Sequence, residues 1–187
     1  MLDRVLRVVK LDKSIYAEVE ADEMATSQAA IVVAVVAVLS AIGSGVGTLV
    51  SSGGKGFILA FLSAILGAFI GWLVWSVVTY FVGTSLFKGE ATINEMLRVI
   101  GFAQAPRVLS LLSFIPCVGW LFSVAGWLLS LYTGFLAIQE GLDLDTGETV
   151  ATVAIGWIVS IVVSLVIGLI FGVGMAGFSA LGSLLRG

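Results

Sequence analysis

The sequence predicts an all-α, polytopic transmembrane bundle of five spans, preceded by a short amphipathic N-terminal helix. Only 11% of the 187 residues are charged, whereas a soluble domain carries about 25%. The charges are also unevenly distributed. Lys55 is the single charged residue between Met24 and Lys88, and none occurs between Arg107 and Glu140. Apolar runs longer than about 18 residues with so few charges are typical of helices that cross a bilayer.

Charge and residue content argue against several classes of function. The net charge is −3 and the chain has no block of basic residues, so we expect no binding of nucleic acid. Histidine, the usual general base and imidazole metal ligand, is absent. The single cysteine, Cys117, cannot form an internal disulfide. We therefore predict no catalytic residue, no metal site and no cofactor.

Residues 1–25 are predicted to form a cytoplasmic leader, followed by a transmembrane domain over residues 26–187. Within 1–13 the apolar residues recur at the i, i+3, i+4, i+7 spacing of one helix face, with basic residues on the other face. These are Leu2, Val5, Leu6 and Val9 against Arg4, Arg7 and Lys10. The pattern favours a helix lying along the lipid headgroups over an ordinary solvated helix or a frayed terminus. Residues 14–25 are acidic and predict a short second helix.

Four links divide the rest of the chain: residues 51–56, residues 83–92, the turn at 116–119 and residues 140–149. Spans one and two are predicted over about 27–50 and 57–82, separated by the polar turn "SSGGKG". Residues 93–139 are long enough for two spans but not three, and Pro116 and Gly119 mark the turn between those two. The last span starts near Val150 and can extend to Leu185. An alternative has four spans, with 92–105 lying on the membrane surface.

The distribution of lysine and arginine orients the bundle. The N-terminal segment and the link after span two hold most of these residues, and the opposite side has few. The two groups are Arg4, Arg7, Lys10, Lys13, Lys88 and Arg98 against Lys55 and Arg186. Because basic residues concentrate on the cytoplasmic side, we predict a cytoplasmic N-terminus and, with five spans, an external C-terminus. Four spans would place both termini inside.

Three spans carry a Gly-x-x-x-Gly pair, which lets helix backbones approach closely in lipid. The pairs are Gly43 and Gly47, Gly67 and Gly71, and Gly168 and Gly172. We interpret them as packing contacts within the chain in preference to a dimer face.

The stretch "RVIGFAQAPRVLSLLSFIPCVGW" (98–120) is apolar but carries several polar residues and two prolines, Pro106 and Pro116. Thr92 is a plausible N-cap for a helix that starts at Ile93. Pro106 lacks a backbone donor and disfavours helical backbone at the residue before it. We therefore predict a helix that breaks near 104–106 and restarts with Pro106 in its first turn. Gln104 and Arg107 would flank the break.

Arg107 lies nine residues after Arg98, or about 14 Å along a helix. If Arg98 is near the headgroups, Arg107 lies about halfway across the bilayer, at a cost of about 2.5–3.5 kcal/mol. Its candidate partners are freed carbonyls at the break, the hydroxyls of Ser76 or Thr79, Glu95, a lipid phosphate or another protein. Alternatively, Arg107 snorkels or ties down the broken helix. Arg98, Gln104, Pro106 and Arg107 thus form the candidate lipid, partner or structural site.

The order of elements gives the chain a resemblance to a known family. A leader ending in "YAEVEADEMATSQAAIVV" precedes two spans, then "RVIGFAQAP", "IPCVGW", a paired span and an acidic loop. This order, with the Gly–aromatic–x–x–x–Pro segment of Gly101, Phe102 and Pro106, resembles the Yip family of Ypt/Rab-interacting membrane proteins in its prokaryotic form. The resemblance covers nearly the whole chain. It implies five transmembrane helices, a cytoplasmic N-terminus, an external C-terminus and no enzymatic activity.

These observations favour a non-enzymatic integral membrane protein of a prokaryotic cell membrane. It would act as a scaffold or accessory subunit of a membrane complex, or as a membrane-organising homo-oligomer. Its expected partners are membrane lipids and other membrane protein subunits or copies of itself. The alternative is a lipid-binding or passive transport protein that uses the broken helix around Pro106. The span interiors hold no Asp or Glu, which argues against ion-coupled transport.

Overall fold

The computed structural model describes residues 1–52, 57–115 and 117–184, and the described ranges contain helices and no strand. The helices are α1 (Leu2–Val9), α2 (Ser14–Ala21), α3 (Ala25–Ser52), α4 (Phe57–Phe87), α5 (Ile93–Ala103), a 3-10 helix (Ala105–Phe114), α6 (Gly119–Gly141) and α7 (Thr146–Leu184). The predicted all-α helical bundle with an N-terminal helix is confirmed. The turn predicted at Pro116 and Gly119 falls between the 3-10 helix and α6, although Pro116 itself lies outside the described residues.

Among the described residues, four helices contain stretches long and apolar enough to cross a membrane. These stretches are Ala25–Ile42 in α3, Phe61–Phe87 in α4, Gly119–Gly141 in α6 and Thr146–Val163 in α7. The remaining predicted span corresponds to α5 followed by the 3-10 helix. It is discontinuous, so neither half alone has the length of a crossing.

The broken helix runs antiparallel to α6 along the whole of α6. Three contacts show this register: Val99 lies against Gly141, Ala103 against Thr133 and Ser113 against Gly119. Because α6 has 23 residues, it is about 34 Å long, close to the thickness of a hydrocarbon core. The broken helix therefore covers the depth of one crossing, consistent with a fifth span. Burial of α5 among its neighbours argues against the alternative in which 92–105 lies on the surface.

Close packing joins α5 to α3 and α4. The indole Nε1 of Trp72 in α4 donates a hydrogen bond to the backbone oxygen of Leu97, at 3.0 Å. On the α3 side, a Cβ added at Gly101 would lie 2.7 Å from the Cβ of Ala29. Since real Cβ atoms do not approach so closely, only glycine permits this contact. Gly101, the glycine of the Gly–aromatic–x–x–x–Pro segment, thus has a packing role.

The leader packs against the same core as the spans. Val8 of α1 and Ile15, Tyr16 and Val19 of α2 are fully buried, and they belong to one apolar cluster with residues of α5 and α6, including Phe102. Lys13 also pairs with Glu140 at the end of α6, at 3.3 Å. The leader is therefore docked on the bundle.

Two arginines hold the two leader helices together. Arg4 pairs with Glu18 at 2.9 Å and with Asp22 at 2.7 Å. Arg7 pairs with Asp12 at 2.8 Å and with Glu18 at 2.6 Å. Hydrogen bonds from the two guanidinium groups hold the pKa of Glu18 below its ordinary value. Two of the three basic residues that the sequence placed at the lipid headgroups, Arg4 and Arg7, are thus paired within the leader, and Lys10 is exposed.

Candidate functional site

Helix α5 begins and ends where the sequence predicted. The Thr92 hydroxyl accepts a hydrogen bond from the backbone N–H of Glu95, and the Glu95 carboxylate accepts one from the N–H of Thr92. This capping box satisfies two backbone donors at the start of the helix. Helix α5 stops at Ala103, and the 3-10 helix continues with Pro106 in its first turn. The predicted break and restart are confirmed.

A side chain from α6 satisfies the backbone at the break. The N–H of Arg107 bonds to the carbonyl of Gln104 at 3.0 Å and so does not reach the carbonyl of Ala103, as it would in a continuing α-helix. The buried hydroxyl of Thr133 donates to that carbonyl at 2.7 Å. A carbonyl freed by the break, one of the partners considered for Arg107, is thus bonded to α6.

Arg98 is held by hydrogen bonds to other parts of the protein. It is buried, and its Nε donates to the hydroxyl of Thr26 at 2.9 Å. Its Nη1 donates to the backbone oxygen of Glu20. Arg98 therefore joins α5 to the end of α2 and the start of α3. It does not line the cavity described below, so the four predicted site residues are not all brought together.

An open cavity of about 720 Å³ lies between the helices of the bundle. Its walls come from α3, α4, α5, the 3-10 helix, α6 and α7. Most of the lining is apolar and includes four tryptophans, Trp72, Trp75, Trp127 and Trp157. Among the described residues, Arg107 is the one charged residue of the lining, and Gln104 lies beside it. The described lining of the cavity is thus mainly apolar and carries one positive charge, that of Arg107.

Arg107 makes few contacts with the protein. Its Nη1 donates to the side-chain oxygen of Gln104 at 3.3 Å. No carboxylate in the described ranges forms an ion pair with Arg107. Glu95, one of the candidate partners, is held in the capping box. Thr79, another candidate partner, donates to carbonyls of its own helix. A guanidinium carries five donors, and Gln104 is the one side-chain acceptor that they have among the described residues.

Sequence reasoning did not identify the hydroxyls that line the same chamber. Ser40 and Ser110 lie 2.7 Å apart across α3 and the 3-10 helix. Ser123 and Ser130 line the cavity from α6. The Ser130 hydroxyl is buried and has no hydrogen-bond partner in the described part of the chain. The i, i+7 spacing of Ser123 and Ser130 places them on one helix face and is a pattern from which that wall could have been predicted.

Of the three glycine pairs, Gly67 and Gly71 have surroundings that the structure describes. Both line the cavity, and a Cβ added at either would meet no atom within 4 Å. Among the described residues they therefore make no close helix contact. The side-chain surroundings of Gly43, Gly47, Gly168 and Gly172 lie outside what the structure describes. Close approach occurs instead at Gly101 and at Gly126, where an added Cβ would lie 3.1 Å from the carbonyl oxygen of Pro106.

Comparison with known proteins gives one match. A family model described as "Yip1 domain" matches residues 14–182. The matched range begins at α2 and includes the broken helix and every residue that lines the cavity. No curated protein and no solved structure matches the chain.

Proposed function

The chain belongs to the Yip1 domain family of membrane proteins, and we propose that it is a non-enzymatic protein that binds an anionic membrane lipid in its central cavity. The head group of the lipid contacts Arg107, and an acyl chain occupies the apolar part of the chamber. This proposal develops the alternative that the sequence raised for the broken helix.

One observation carries the proposal: among the described residues, the one charge that lines the cavity is Arg107, and no carboxylate there pairs with it. Arg107 is exposed towards the open cavity, and a cation at the depth of a bilayer without a counter-charge is costly. A phosphate or carboxylate removes that cost, and arginine binds both groups through paired N–H donors. An anion is therefore the ligand that this site favours.

The walls favour an anion that carries hydrocarbon. The tryptophans and aliphatic side chains offer little to a small hydrated ion, whereas they cover an acyl chain well. A volume of about 720 Å³ falls within the range of about 300–1,000 Å³ typical of ligand sites. Trp127 and Trp157 line the cavity and are partly exposed, which is compatible with entry from the bilayer.

The test measures the anionic phospholipid retained by the full chain in mild detergent, by native mass spectrometry. Loss of a charge-assisted hydrogen bond costs about 1.5–3 kcal/mol. Arg107→Ala is therefore expected to weaken lipid retention about ten- to a hundredfold. Lys88→Gln, which removes an exposed cation outside the cavity, is the matched control and should retain lipid as the wild type does. Equal retention in Arg107→Ala and the wild type would overturn the proposal.

Two further arms make the result specific. Gly71→Leu places a side chain into open cavity space and is expected to displace lipid while Arg107 is intact. Inorganic phosphate is added to a separate sample to distinguish a lipid from a free anion. Phosphate that binds tightly and displaces no lipid would show a soluble-anion site and contradict the proposal.

The scaffold, accessory-subunit and homo-oligomer roles remain predictions. So do the cytoplasmic N-terminus, the external C-terminus and the prokaryotic membrane. Purification in mild detergent tests the scaffold, accessory-subunit and homo-oligomer roles. A strict monomer without any co-purifying protein would argue against all three.

A further inference from the structure

Helix α1 has apolar residues on two sides. Val8 is fully buried and Val5 is half-buried against the core. Leu2, Leu6 and Val9 point away from the core and are 74%, 55% and 43% exposed. The spacing of these three residues places them on one side of the helix. The outer side of α1 is thus an apolar stripe that nothing within the described chain covers.

The basic residues of α1 are turned away from this stripe. The guanidinium groups of Arg4 and Arg7 are paired with Asp12, Glu18 and Asp22 at 2.6–2.9 Å. Their charges are therefore compensated within the leader. Attraction to anionic headgroups, the usual reason why a basic amphipathic helix binds a membrane surface, is correspondingly weak here.

The contacts of α1 place it at the level where the bundle enters the membrane. Helix α1 packs against α5 and the 3-10 helix. Nη1 of Arg4 also donates to the side-chain oxygen of Gln28 at 3.3 Å, in the first turn of α3, where the first membrane-spanning stretch begins. Ile31 and Val35, one and two turns further along α3, are 47% and 49% exposed. Helix α1 thus lies beside the broken span and the first turn of α3, with its apolar stripe on the outer side.

We propose that α1 is inserted among the acyl chains of the leaflet on the N-terminal side of the bundle, through Leu2, Leu6 and Val9. Apolar burial holds it there, and attraction to anionic headgroups contributes little. The bilayer is the occupant because α1 packs against the broken helix that forms one crossing, which leaves the outer side of α1 at the lipid-facing surface of the bundle. This inference concerns the outer surface of the leader and does not depend on the lipid proposed for the cavity.

The test is fluorescence quenching on the full chain in lipid nanodiscs. The background is Cys117→Ser, which removes the one native thiol. An environment-sensitive probe is attached at Leu6→Cys or, as the matched control, at Ala17→Cys, on the exposed face of α2. Lipids carrying a quencher near the top of the acyl chain are expected to remove most of the Leu6→Cys fluorescence and little of the Ala17→Cys fluorescence. Retention of the thermal unfolding midpoint in both variants confirms that they are folded.

Lipid composition and salt distinguish the proposed mode of docking from the alternatives. Quenching at Leu6→Cys is expected to be the same in neutral phosphatidylcholine and after addition of phosphatidylglycerol, and to persist when salt screens surface charge. Quenching that requires the anionic lipid would overturn the proposal in favour of headgroup attraction. A water-like emission without quenching would show that Leu6 faces solvent and would overturn the proposal. An apolar emission without quenching would show that protein covers Leu6, and it would also overturn the proposal.

Discussion

Arg98 and Arg107 lie on one broken helix, yet their surroundings differ. Arg98 is buried with hydrogen bonds to Thr26 and to the backbone of Glu20, whereas Arg107 lines a cavity with Gln104 as its described protein acceptor. Both were predicted as candidates because arginine is rare in apolar segments. Their roles separate only through partners that are distant in sequence, so spacing alone could not distinguish them.

Arg98→Met is expected to destabilise the docking of the leader. The change leaves the Glu20 carbonyl and the Thr26 hydroxyl without their donor, and an unsatisfied buried polar group costs about 1–3 kcal/mol. Limited proteolysis of the leader and the thermal unfolding midpoint measure the effect. Lys88→Met, at an exposed position, is the control. An Arg98→Met protein as protease-resistant as the wild type would show that this arginine does not hold the leader.

Gly101→Ala and Gly71→Ala form a matched pair at the residue scale. A methyl group at Gly101 would meet Ala29 at 2.7 Å, and such overpacking costs about 1–3 kcal/mol. At Gly71 a methyl group meets open space, so the helix should gain up to about 1 kcal/mol from the better propensity of alanine. The thermal unfolding midpoint should fall for the first variant and not for the second. Equal midpoints would contradict the close contact between α5 and α3.

At the scale of elements, local rules predicted where α5 begins and ends, but not the contact with α6 that satisfies the backbone at its end. Thr92 and Glu95 are three residues apart, and Pro106 acts on its own turn, so the cap and the break follow from neighbouring residues. Thr133 lies thirty positions away from the carbonyl that it satisfies. Such a contact depends on the register between α6 and the broken helix, which no local pattern contains.

The same distinction applies to the leader. Its 3.6-residue periodicity predicted an amphipathic α1, which the structure contains. The pattern did not reveal that Arg4 and Arg7 are paired with the carboxylate of Glu18 in α2. Charges on two short helices can face either solvent or each other, and the tertiary contacts decide between these arrangements.

The pairing of α1 with α2 is expected to weaken at acidic pH. Hydrogen bonds from Arg7 and Arg4 lower the pKa of Glu18, and the bond from Arg4 lowers that of Asp22. A lowered carboxyl pKa stabilises the fold above the ordinary values of 4.5 and 3.8, and this stability is lost as pH falls through the folded pKa. Hydrogen exchange of α1 amides, compared at neutral and acidic pH after correction for the intrinsic rate, measures this effect.

Glu20 supplies the control for that experiment. Burial, followed by repulsion from Glu95 and Asp143, raises its pKa, so its protonation on acidification stabilises the folded leader. Glu20→Gln removes this opposing contribution and keeps the backbone oxygen that accepts from Arg98. The acid-induced loosening of α1 should therefore persist or increase in this variant. Loosening that disappears in Glu20→Gln would assign the pH dependence to Glu20 and contradict the role of the ion pairs.

At the scale of the whole molecule, composition predicted the membrane bundle, and the family match agrees with it. The cavity could not be predicted in the same way. Its lining combines residues from six helices, and its single charge becomes notable only once the neighbouring side chains are known to be apolar. Gly67 and Gly71 illustrate the difficulty, because a Gly-x-x-x-Gly pair at a helix contact and one at a cavity wall have the same sequence.

The central claim is that the cavity holds an anionic lipid at Arg107. A crystal structure of the full chain purified from its native membrane tests it most directly. The account predicts density for a head group within hydrogen-bond distance of the Arg107 guanidinium, with an acyl chain extending along Trp127 and Trp157. A cavity that contains only water, or that is closed by the protein's own side chains with Arg107 paired to a carboxylate, would contradict it.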